Sequence, residues 1–82
     1  MRIRRQLIMA FQPDELEIID ESHLHAGHAG AREGKGHYRV RIIAKSFAGK
    51  TALQRHRMVY DALGDLMKTE IHALSVSAAT GS

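Results

Sequence analysis

Residues 37–54 read HYRVRIIAKSFAGKTALQ, and the succession of patterns within them decides the fold. From His37 to Lys45 the chain alternates. Tyr38, Val40, Ile42 and Ala44 fall on one side; His37, Arg39, Arg41, Ile43 and Lys45 fall on the other. Period-two alternation marks a strand with one packed face. Residues 46–50 make a turn around Gly49. Thr51 and Gln54 then have the spacing of a capping box, in which each side chain accepts from the other residue's backbone N–H. The helix that follows carries Leu53, His56, Val59 or Tyr60, Leu63, and Leu66 or Met67 on one stripe. Gly64 within it costs about 1 kcal/mol relative to alanine.

Working outward, residues 70–78 read as a third strand, with His72, Leu74, Val76 and Ala78 on one face. A helical crossover between neighbouring strands makes them parallel. Towards the N-terminus, Ile3, Leu7, Ala10 and Phe11 have helical spacing, so residues 2–11 read as a short amphipathic helix. Pro13 ends it, because the residue before proline avoids the helical region. Residues 16–22 read as the first strand. Residues 23–36 form a loop holding Gly27, Gly30, Gly34 and Gly36, of a length usually found in functional or mobile loops. The order is helix, strand, strand, one or two helices, strand. It predicts an α/β (α+β) chain with a three-stranded mixed sheet and helices packed on one face. Residues 1–82 read as one domain, with 79–82 a loose tail.

The 82 residues include six histidines and no cysteine. No disulfide can reinforce so small a chain, which buries only about 60% of its unfolded surface. The longest apolar run near the N-terminus, Leu7 to Phe11, is too short for a signal or membrane segment, so a cytoplasmic protein is expected. Catalytic patterns are absent: no cysteine nucleophile, phosphate loop, His-Glu-x-x-His pair or nucleophile elbow. Neither an enzyme nor a small-molecule substrate is expected.

Neutral imidazole is the commonest protein ligand for borderline metals. Histidine without thiolate rarely holds an iron–sulfur cluster or structural zinc by itself. A chain of this composition that binds such a centre needs a partner to bring sulfur. His23, His25, His28 and His37 lie in or beside the glycine-rich stretch. His25 and His28, three apart, are compatible with metal binding or with ordinary loop positions. His72, at a strand start, has a fixed backbone and room for a ligand, which suits ligation. His56 falls on the helix's core stripe and reads as a buried histidine with one satisfied nitrogen. His37 reads as structural or exposed.

Charge is unevenly placed. Asp14, Glu15, Glu17, Asp20 and Glu21 cluster together. From Arg32 to Arg57 there are eight bases against Glu33 alone. Arg39, Arg41, Lys45, Lys50, Arg55 and Arg57 can form one patch able to meet duplex DNA or an acidic partner, or can be a solvated face.

Several short runs follow one another in order: Glu21-Ser22, the histidine–glycine loop, His37-Tyr38-Arg39-Val40, Phe47-x-Gly49, Arg55-His56-Arg57-Met58-Val59-Tyr60 and Ile71-His72-Ala73-Leu74. Over nearly its whole length the chain resembles the BolA family. The resemblance implies a fold similar to the type II KH domain and a monothiol glutaredoxin as partner, in a heterodimer. It implies a shared [2Fe–2S] cluster whose sulfur ligands come from the glutaredoxin's cysteine and glutathione. The strand-end histidine, here His72, then supplies an imidazole. A second ligand comes from the loop after the first strand, where His25 matches best and His28 is a close rival. Family members are also described as transcriptional regulators tied to stress and cell shape. A KH domain grips nucleic acid with a Gly-x-x-Gly loop between helices. The corresponding turn here is Ala48-Gly49-Lys50-Thr51, and Gly27-His28-Ala29-Gly30 lies in another loop, so that binding mode is not expected.

Overall fold

The computed structural model describes residues 2–21 and 36–81. Its elements are α1 (Arg2–Phe11), β1 (Glu15–Asp20), β2 (Gly36–Ile43), α2 (Ala52–Leu63), α3 (Leu66–Thr69) and β3 (Ile71–Ala79), with a 3-10 turn at Lys45–Phe47. α1 ends as its sequence requires. Gln12, at φ 46, donates its N–H to the Ile8 carbonyl at 2.9 Å, and Pro13 follows. The capping box is formed: Gln54 N–H donates to Thr51 Oγ1 at 3.1 Å, and Thr51 N–H to Gln54 Oε1 at 2.8 Å. Gly64 does not weaken the helix from within. At φ 53 it ends α2, donating its N–H to the Tyr60 carbonyl, and a second short helix begins.

The sheet has the order β1-β2-β3, with β1 antiparallel and β3 parallel to β2. This is the expected mixed three-stranded sheet, and the helical crossover from β2 accounts for the parallel run of β3. β3 runs to Ala79, whose carbonyl accepts from the Ala44 N–H at 2.9 Å. One face of the sheet packs against the helices. Val40, Ile42 and Ala44 from β2 and its end meet Ile3 and Leu7 of α1, Val59 and Leu63 of α2, and Phe47 and Ile71. Phe47 is fully buried, its ring centroid 4.9 Å from that of Phe11.

The inward stripe of α2 differs from the one the apolar spacing predicts. Val59 and Leu63 are buried with Met58 and Ala62 beside them, whereas Leu53 is 60% exposed and Tyr60 39% exposed. Half-buried Arg55 stands one turn before Val59, where the predicted stripe had His56. Long cationic side chains can lie along apolar surface and send their charged head elsewhere. Here Arg55 Nε donates to the Phe47 carbonyl at 3.2 Å and Nη1 to the Ala78 carbonyl at 3.0 Å.

Candidate metal-ligand site at the bulge of β3

The register of β2 against β3 pairs Gly36 with Ile71 but His37 with Ala73, so His72 is an extra residue on β3. The core shows the same irregularity. Ile71 is 2% exposed and Leu74 packs against the core cluster, although three residues apart they would face opposite sides of a regular strand. The β-bulge corrects the alternation read from the sequence: His72 does not share the face of Leu74, Val76 and Ala78. Bulges re-aim side chains. Here the His72 side chain is exposed, and its ring lies against that of His37, centroids 4.9 Å apart and planes at 49°.

His37 is buried, 8% exposed, on the sheet face opposite Tyr38. Its carbonyl accepts from the Glu21 N–H at 2.7 Å, joining the end of β1 to the start of β2. On the other face, the Tyr38 ring lies across Gly36; a Cβ there would stand 2.6 Å from it, so any larger residue would have to displace the ring. Burial pushes the Tyr38 hydroxyl pKa up, with the negative charges of Asp20 and Glu70 adding to the effect. His72 is thus an exposed imidazole on a backbone held by a parallel ladder and backed by a second, buried ring. Its free edge suits a metal held jointly with another molecule. His37 was missed as part of this site; its clue was that both histidines open strands predicted to be parallel neighbours.

His23, His25 and His28 lie outside the described residues. The segment that holds them leaves the sheet at Glu21 and returns at Gly36, the same end as His72. Among the described residues no three His, Asp or Glu side chains are grouped to hold a metal ion. His56 is half-buried beside the edge of β3 rather than buried in the core.

The six basic candidates do not make one surface. Arg39 and Arg41 project from the open face of the sheet, opposite the helices, and pair with β1 and its end. Arg39 Nε lies 3.5 Å from Glu21 Oε2; Arg41 lies 3.8 Å from Glu15 Oε2 and 3.6 Å from Glu17 Oε1. Arg55 is bonded to two backbone carbonyls on the helical side. Lys45, Lys50 and Arg57 are exposed.

No helix among the described residues is long and apolar enough to cross a membrane. The family model for BolA-like protein matches residues 7–82. SufE-like protein 1, chloroplastic/mitochondrial, of Arabidopsis thaliana is 45% identical over 98% of this chain, which spans 23% of that protein's length. The DNA-binding transcriptional regulator BolA of Escherichia coli K12 is 39% identical over 96% of this chain and 72% of its own. The solved BolA domain of SufE1 from A. thaliana superposes with a TM-score of 0.86, covering 98% of this chain and 88% of that one. With the order of elements, the mixed sheet and the strand-end histidine, these matches make the chain a member of the BolA family.

Proposed function

We propose that this chain is a non-enzymatic adaptor that shares a [2Fe–2S] cluster with a monothiol glutaredoxin, for iron–sulfur trafficking or for iron and redox sensing. The observation that carries the reading is exposed His72, presented on a bulge in a chain without cysteine. The chain has imidazole to give and no thiolate, so the sulfur ligands come from the glutaredoxin's cysteine and from glutathione. His72 is the first ligand. His25 is the second, with His28 its rival. Mixed nitrogen and sulfur ligation raises a cluster's potential relative to thiolate alone. The cluster is cargo held between two proteins, so the isolated chain, reconstituted with iron and sulfide, is expected to retain none. A stoichiometric, persistent cluster on the chain alone would refute the reading. Mixing the chain with cluster-loaded glutaredoxin and glutathione is expected to change the visible circular dichroism of the cluster; an unchanged spectrum counts against it.

The second reading is a DNA-binding regulator linked to stress response and cell morphology. Its support is the identity with the E. coli regulator and three exposed cations, Lys45, Lys50 and Arg57, for which no ion pair is found among the described residues. Arg39, Arg41 and Arg55 contribute less to it, because their charges already have protein partners.

A further inference from the structure

Among the described residues β3 is an edge strand, with β2 as its sheet neighbour. The Ala79 carbonyl points to β2, since it accepts from Ala44. Backbone groups alternate in direction along a strand, so those of Leu74, Val76 and Ala78 point away from the sheet. An open edge is a template for another strand. This one is partly filled. Tyr60 Oη donates to the Leu74 carbonyl at 3.4 Å, and Arg55 Nη1 to the Ala78 carbonyl at 3.0 Å. Among the described residues the N–H groups of Leu74, Val76 and Ala78 meet no acceptor, while two of the three carbonyls are taken. Donors outnumber acceptors.

The cleft beside this edge has matching charge. Lys50, Arg55 and His56 line it with Val76 and Ala78, and no acidic side chain among the described residues does. Tyr60 reaches the edge, and Leu53, two helical turns earlier on the same side of α2, adds exposed apolar surface.

We propose that this edge binds a short extended peptide segment rich in acidic residues, centred on Val76. One guest residue exchanges both backbone hydrogen bonds with Val76. The N–H groups of Leu74 and Ala78 donate to guest oxygens, and guest carboxylates meet the exposed Lys50 ammonium first, beside His56 and the already bonded Arg55. Strand addition of this kind takes affinity from the main chain and specificity from the flanking side chains. A peptide fits better than a nucleic acid because the donors are backbone amides spaced along a strand. The site lies on the helical side and needs neither His72 nor a cluster.

The test is fluorescence anisotropy with a labelled peptide of alternating glutamate and valine, followed by amide chemical shifts of the protein. Binding is expected to perturb Val76 and Ala78 amides, and a peptide with lysine in place of glutamate is expected not to bind. Lys50→Glu is expected to weaken binding by about five-fold or more, equivalent to roughly 1 kcal/mol. Ala78→Pro deletes one outward N–H, leaves the β2 ladder intact, and is expected to weaken binding similarly. Should Ala78→Pro not fold, Lys50→Glu and the amide shifts decide alone. Absence of binding, equal binding of the lysine peptide, or displacement of the acidic peptide by a short DNA duplex acting on the same amides would overturn the proposal.

Discussion

The two ends of β3 use conspicuous side chains in opposite ways. At its C-terminal end the ladder is regular, and Arg55 ties the strand to α2 and to the 3-10 turn through two carbonyls. At its N-terminal end a bulge breaks the alternation and leaves His72 exposed against a buried ring. Both residues belong to family-like motifs and both are candidate site residues by sequence. Only geometry separates the one that holds the fold from the one that is left available for chemistry.

The largest expected effect is functional. His72→Ala is expected to abolish the change in the cluster's visible spectrum while moving the urea midpoint little, as truncation at an exposed site usually stays within about 0.5 kcal/mol. Arg55→Ala is expected to do the reverse. It loses two charge-assisted hydrogen bonds and destabilises the fold by about 2 kcal/mol in urea unfolding, with the spectral change retained. An unfolded His72→Ala variant, or an Arg55→Ala variant as stable as the parent, would erase the distinction.

A smaller effect sharpens the role of the second ring. His37→Ala is expected to cost about 1–2 kcal/mol of stability and to weaken the spectral change, because His72 loses the surface behind it. His37→Phe keeps a flat ring and is expected to recover both. Recovery of stability without recovery of the spectrum would show that a nitrogen of His37 is needed. Smaller again, His25→Ala is expected to weaken the cluster more than His28→Ala, and visible spectra of the two complexes check this. The reverse order would exchange their roles.

The smallest expected effect concerns DNA. With Lys45, Lys50 and Arg57 as the three of the six candidate bases that have no ion pair among the described residues, any duplex binding should show a log–log salt slope near −3 in a filter or anisotropy titration. A slope near −5 would mean that all six bases engage phosphate and that the ion pairs of Arg39 and Arg41 open on binding.

The architecture was legible because its signals are local and agree. Thr51 and Gln54 announce the helix, alternation from His37 to Ala44 announces the strand, and the crossover sets β3 parallel. What escaped was local too, but of other kinds. A period-two reading has no place for an extra residue, so it put His72 on the core face; the clue was Ile71, an apolar residue three positions from Leu74. A stripe counted in apolar residues passes over Arg55, whose stem packs while its head bonds to the backbone, and so gave His56 and Leu53 an inward place they do not hold. The separation of Arg39 and Arg41 from Lys50 and Arg57 follows from the sheet itself: alternation sends one pair out of the face opposite the helices. His37 and His72 are 35 positions apart in the sequence, and only the register of two parallel strands brings them together.

In the proposed complex an imidazole of this chain, that of His72, ligates the shared cluster. The most direct measurement is pulsed electron paramagnetic resonance on the reduced complex, with this chain labelled with 15N in its histidine rings and the glutaredoxin unlabelled. The expected result is 15N hyperfine coupling from ligated imidazole, with the His72 contribution lost in His72→Ala. A reduced cluster with no 15N coupling, or with the same coupling in the His72→Ala complex, would contradict it.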